Sequence, residues 1–212
     1  SFFKINILYL LIIILILSLF NLIFIKNIKL INNLPLYLAI FILFFLYSMM
    51  LMNNPELGWD AAVNWIFKTK NFYSNNDFQS LKNVPGINNY PHLGSYIWAI
   101  FWKISFVNHE YTGRLVYIFI YLSSIFAATS ILKTDIFKKT ILGTIISILA
   151  FDNILINGYQ EPLMFSFCIL FMLFFLKIEE TKKISLSYLF LFFVANLILW
   201  TKNEGIFFLI FL

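Results

Sequence analysis

"PLYLAIFILFFLYSMMLMNNPELGWDAAVNWIFKTKNFY", Pro35 to Tyr73, decides the fold. Its opening run, Pro35–Met52, carries no charge and is close to the ~20 residues a helix needs to cross a hydrocarbon core. Pro35 suits the first turn of such a helix, where its missing N–H costs nothing. After Pro55 the character changes. Gly58–Tyr73 gathers Asp60, Lys68 and Lys70 beside Trp59 and Trp65, and reads as an amphipathic helix suited to the membrane interface. The chain crosses a bilayer and then lies along it.

The composition extends this reading to the whole chain. It is 61% hydrophobic and 12% charged, whereas soluble domains are about 45–50% apolar and about 25% charged. A soluble fold is excluded, and the expected class is an all-α polytopic membrane protein. The formal charge of +5 is spread over short loops rather than one basic face, so nucleic acid is not an expected partner. Cys168, the only cysteine, lies in an apolar run and implies neither a disulfide nor a thiolate metal site.

Candidate spans are Ile7–Ile25, Pro35–Met52, Leu115–Leu132, Thr140–Ile156, Leu163–Leu176 and Leu186–Trp200, with another beginning at Gly205. This predicts six to seven transmembrane helices in a single domain, residues 1–212. Leu93–Val107 is apolar but short and contains Lys103, so an interfacial helix is expected there. Lysine clusters at Lys26/Lys29, Lys133/Lys138/Lys139 and Lys177/Lys182/Lys183 then fall on one face, the cytoplasmic one. Residues 53–113 become a large first outer loop carrying interfacial amphipathic helices. The chain begins at Ser1 and ends in an apolar run, and it is expected to be a fragment of a longer protein.

This topology places Asp60, Glu161 and Glu204 at one membrane surface. Asp60, Asn64 and Lys68 share a helix face at i, i+4 spacing, although Asp60 would also serve simply as a favourable N-terminal acid. Glu161 opens a span, where the helix dipole alone accounts for an acid, yet a carboxylate at a membrane boundary is also a functional candidate. Asp152, toward the outer end of its expected span, is a weaker candidate: a third polar group or a helix–helix hydrogen bonder. His92, in "YPHLG" after Tyr90, has no second histidine at ligand spacing. Glu110 and Arg114 form an ordinary i, i+4 pair, or Arg114 grips a lipid phosphate. Lys202 and Glu204, in "TKNEG", stand at an outer helix end where snorkelling and capping also explain them.

The order of these segments resembles the large-membrane-loop (C-type fold) glycosyltransferases, the superfamily of protein O-mannosyltransferases and lipid A aminoarabinose transferases. The likeness runs over roughly Asn53–Gly205 and is greatest to the bacterial dolichyl-phosphate-mannose-protein mannosyltransferase-like branch. The resemblance implies that Asp60 is the catalytic carboxylate of the first outer loop. It also implies that Glu161, in "GYQEPL", matches a second acid found there as "GYADxPL". Glu110 and Arg114 match an "E...R" pair, while "YPHLG" lacks the lysine and second proline of the family's "KPPL".

The implied reaction transfers a sugar from a polyprenyl-phosphate-linked donor to a lipid, glycan or protein acceptor on the outer, periplasmic face of a bacterial inner membrane. Asp60 would act as base, with Glu161 approaching it across a shared polar cavity. Lys68, Lys70, Arg114 and Lys202 are the groups available to balance the leaving phosphate, and Tyr90, His92, Glu110 and Glu204 complete the candidate binding set. A divalent metal is compatible with the family, but no ligand spacing in this chain supports one. The alternative is a transporter or flippase, which would carry polar groups and broken helices near the bilayer midplane. Here the expected spans are nearly free of charge through their centres.

Overall fold

Helix α1 (Leu34–Asn53) forms with Pro35 in its first turn, and Ser48 returns its hydroxyl to the Phe44 carbonyl at 2.6 Å. A polar side chain thus sits inside the apolar run without an unmet hydrogen bond. The computed structural model describes residues 33–74, 90–181 and 186–211, and among these every regular element is helical. The expected first span Ile7–Ile25, with Lys26, Lys29, Lys182 and Lys183, lies outside the described residues.

Beyond α1 come a π-helical turn (Ala61–Trp65), α2 (Ile66–Tyr73), α3 (Leu93–Ile104), α4 (Tyr111–Ala128), α5 (Ile136–Leu149), α6 (Glu161–Thr181), α7 (Leu186–Thr201) and α8 (Gly205–Phe211). Three helices are long and apolar enough to cross a membrane: Leu34–Asn53, Tyr111–Ile131 (α4 with its 3₁₀ extension) and Glu161–Glu180. Helix α7 is apolar but shorter. The twelve residues of α3 extend only about 18 Å, too little to cross a hydrocarbon core of ~30 Å.

The fourth expected span, Thr140–Ile156, is corrected. Helix α5 stops at Leu149, and Asp152 caps a separate 3₁₀ turn, Asn153–Leu155, by accepting from the Ile154 N–H at 3.0 Å. The Ser147 carbonyl, near the helix C-terminus, is taken by the hydroxyls of Tyr47 on α1 and Tyr121 on α4, each at 3.0 Å. These side chains satisfy an acceptor for which the last turn has no backbone donor. Asp152 is exposed and serves as that local cap, not as a helix–helix hydrogen bonder.

Among the described residues, three buried clusters hold the helices together, the smallest being Phe72 of α2 against Ala99 and Ile100 of α3. Of the larger two, one joins α1 and α4 through Leu43, Leu51, Ile118, Leu122 and Phe126. The other joins the π turn, α3, α4, α6 and α7 through Trp65, Trp98, Tyr117, Leu163 and Ile198. The π turn and the loop at 157–160 interlock: the Gly58 N–H donates to the Asn157 carbonyl at 2.9 Å. A Cβ on Gly58 would run into the Tyr159 ring, and Gly158 has φ +82° with Trp98 and Ala61 pressed against it. Only glycine fits both positions.

This interlock gives the helices a common sense. The starts of α4 and α6, the end of α1, the π turn and the α7–α8 turn gather at one end. At the other, Lys133 pairs with Glu180 at 3.1 Å, bringing the α4–α5 connection to the end of α6.

Candidate functional site

Asp60 immediately precedes the π turn at the interlocked end. Its Oδ1 accepts from Asn64 Nδ2 at 2.7 Å, and its Oδ2 accepts from the Trp65 indole N–H at 2.5 Å. The wider π turn, whose next backbone bond runs from the Ile66 N–H to the Ala61 carbonyl, brings the residue five ahead onto the face of Asp60. Two neutral donors therefore fix the carboxylate while leaving it acceptor capacity, since an ionised carboxylate offers about four lone-pair sites. The surface beside it is apolar and open, with Trp59 73% exposed.

Lys68 does not lie along the lipid-facing stripe. It is 1% exposed, donates to the Tyr90 carbonyl at 3.1 Å, and stands 5.2 Å above the Trp65 ring. Burial lowers its pKa to about 8, against the opposing pull of Asp60. Tyr90 also packs edge-on against Trp65, and His92 packs on Phe72. Burial, with the nearby Lys68 charge, brings the His92 pKa down to about 4. This imidazole is neutral at physiological pH. Lys70, two residues beyond Lys68, is exposed.

A second carboxylate arrives from α6. Glu161 Oε1 accepts from Lys202 Nζ at 2.5 Å, and the Lys202 side chain is 11% exposed. Lys202 comes from the α7–α8 turn, which is tight enough that a Cβ on Gly205 would meet the Ile198 carbonyl oxygen at 2.5 Å. Burial works against the Lys202 charge. The hydrogen bond and charge of Glu161, reinforced by Glu204 and Asp60, more than offset it and leave the pKa above the ordinary lysine value. Asp60, Glu161 and Glu204 thus act on one ammonium.

Arg114 is placed elsewhere. It is fully buried; Nη1 donates to the carbonyls of Glu56 (3.1 Å) and Ile156 (2.7 Å), and Nη2 to the Pro55 carbonyl (2.6 Å) and Glu110 Oε1 (2.8 Å). The sequence allowed an ion pair or a phosphate grip, and here the i, i+4 pair forms and the guanidinium is occupied with backbone. The Glu110 carbonyl in turn accepts from the Trp98 indole at 2.8 Å. Burial raises the Glu110 pKa, and Arg114 opposes that shift.

No protein-family model, curated protein or solved structure matches the chain. Any functional reading therefore rests on the residues themselves. Among the described residues, no group of three or more His, Cys, Asp or Glu side chains is arranged to hold a metal ion.

Two features of the site escaped sequence reasoning. Gln160 is fully buried, and its Nε2 donates to the Tyr117 hydroxyl at 3.0 Å; that hydroxyl lies 2.9 Å from the Gly94 carbonyl, to which it donates. The signal was present in "YQEPL" but was attributed wholly to Glu161. The Trp65–Asp60 bond was also missed, because five-residue spacing falls off the face of a regular α-helix.

Proposed function

We infer that the chain belongs to a polytopic membrane glycosyltransferase of six to seven spans. It would transfer a sugar from a polyprenyl-phosphate donor to an acceptor at the outer face of a bacterial inner membrane. The observation that carries this reading is the convergence of Asp60, Glu161 and Glu204, from three separate segments, on the end of the bundle opposite Lys133. A lipid-linked donor cannot leave the bilayer, so its chemistry must occur where the headgroup emerges.

Asp60 takes the proton of the acceptor hydroxyl as that oxygen bonds to the anomeric carbon. The bond from that carbon to the phosphate oxygen breaks, and the electron pair leaves with the polyprenyl phosphate. A positioned base contributes about 10²–10⁴-fold to such a step. Lys68, buried within the field of Asp60 but in salt-bridge contact with no carboxylate among the described residues, is the cation best placed to balance the leaving group, with Lys70 exposed nearby. A cleft of about 440 Å³, lined by Phe44, Phe101, Phe106, Leu115 and Phe119, supplies an apolar bed beside α3 for an isoprenoid tail.

The transporter or flippase reading predicts charged groups at mid-span; Asp60, Glu161 and Lys202 instead stand at helix ends, and Lys68 lies in the short helix α2, which is not a span. Reconstituting the full-length protein with polyprenyl-phosphate hexose and pentose donors separates the two. Glycosyl transfer releases polyprenyl phosphate; movement of intact donor between leaflets, with no bond cleaved, refutes the enzyme reading.

A further inference from the structure

The two lysines near Asp60 have different surroundings. Among the described residues, the Lys68 ammonium donates only to the Tyr90 carbonyl and faces the Trp65 ring, leaving donor capacity for an anion. Lys202 is already engaged: its Nζ lies 2.5 Å from Glu161 Oε1, and nine-tenths of the residue is buried. Glu161 Oε2 has no hydrogen-bond partner among the described residues, and neither has Glu204 Oε2. One oxygen of Glu161 is therefore pinned by Lys202, and the other is buried with no donor of its own among the described residues, so the carboxylate relies on that single ammonium. Without an ammonium, three carboxylates at one partly buried site would repel one another and Glu161 would turn away toward solvent.

We propose that Lys202 is a positioning residue: its ammonium is the resident counter-cation of Asp60, Glu161 and Glu204, and it holds Glu161 in place rather than meeting the donor phosphate. This rests on the reading of the site as a lipid-phosphate-sugar transferase, and it divides the cations of that site into two tasks. Lys68 meets phosphate. Lys202 acts through Glu161.

The test uses the full-length protein in nanodiscs, with sugar-free polyprenyl phosphate as the binding probe. Lys68→Met weakens binding by about tenfold, the worth of one charge-assisted hydrogen bond, while Lys202→Met leaves the Kd within about twofold. In transfer assays Lys202→Met lowers kcat by about 10²-fold at unchanged donor KM, and Lys202→Arg restores most of it. In a Glu161→Gln background, Lys202→Met adds less than about twofold, because residues acting as a unit are non-additive. If Lys202→Met fails to fold, Lys202→Gln, which keeps a donor without the charge, takes its place in every arm. Weakened phosphate binding in the Lys202 variants, or a full additive loss on Glu161→Gln, overturns the proposal while leaving the transferase reading intact. A wild-type protein that neither binds the probe nor transfers sugar removes that reading and this inference together.

Discussion

Lys68 brings an ammonium into a position 1% exposed, and burial lowers its pKa to about 8 from the ordinary 10.5. Below about pH 8 folded and unfolded chains both hold this proton, so Lys68 adds no slope to stability. Between about pH 8 and 10.5 the unfolded chain holds more protons, so its contribution to stability rises with pH. Lys68→Met should abolish that rise in thermal unfolding followed from pH 7 to 10.5; an identical slope in the variant would show that the charge is not buried. Affinity for polyprenyl phosphate should fall as pH passes 8, because the ammonium loses its proton. Arg114 gives a second residue-scale expectation. Arg114→Met strands the Pro55, Glu56 and Ile156 carbonyls and the Glu110 carboxylate, and should cost about 3–5 kcal/mol in chemical unfolding. Arg114→Lys should recover little, since an ammonium lacks the planar fork that reaches four acceptors. The Glu110 partner was legible as i, i+4 spacing. The carbonyl partners, 42 to 59 positions away in the chain, were not, because backbone acceptors leave no trace in residue type.

At the scale of elements, apolar runs predicted helix existence well and helix endings poorly. Helices α1, α4, α6 and α7 follow their expected runs, whereas α5 begins and ends earlier than its run, at Ile136 and Leu149, with tyrosines from two other helices satisfying its Ser147 carbonyl. The π turn was illegible for a related reason: its sequence, Ala61–Trp65, carries no signal distinguishing a π from an α turn, and its benefit lies in the Trp65–Asp60 bond. Trp65→Phe removes that donor and leaves a cavity where the larger indole packed, so it should lower unfolding stability and, per folded molecule, lower transfer about tenfold. Helix α3 lies against α2 and α4 and is too short to span. Spin labels along Leu93–Val107 should report one shallow depth, and a gradient from one face of the bilayer to the other would contradict an interfacial placement. Gly94→Ala on this helix drives a methyl into the Gln160 amide and breaks the Gln160–Tyr117 pair, for a loss of about 1–3 kcal/mol in the same unfolding assay.

For the whole molecule, the sequence pattern of apolar runs and lysine clusters implied that Asp60, Glu161 and Glu204 share one end, and the Gly58–Asn157 bond with the Glu161–Lys202 pair brings their segments together there. What the pattern could not carry was the cation joining them, because Lys202 alone reads as a snorkelling lysine at a helix end. Substituted cysteines at 57–63 and 158–162 should react with impermeant reagent from one side of the membrane, and cysteines replacing Lys133 or Lys138 from the other. Asp60 remains the centre of the account. Asp60→Asn keeps the side-chain shape and accepts one of the two donors at its amide oxygen while its NH2 meets the other, and it takes up no proton at neutral pH, so the rate is read per folded molecule. The control is Asp135→Asn, at the exposed cap of α5, where asparagine caps as well as aspartate. The decisive measurement is the rate of sugar transfer per folded molecule for the two variants. Asp60→Asn should lose about 10²–10⁴-fold with unchanged binding of polyprenyl phosphate, and Asp135→Asn should keep a near-wild-type rate. Near-wild-type transfer by both would contradict the role of Asp60 as the base.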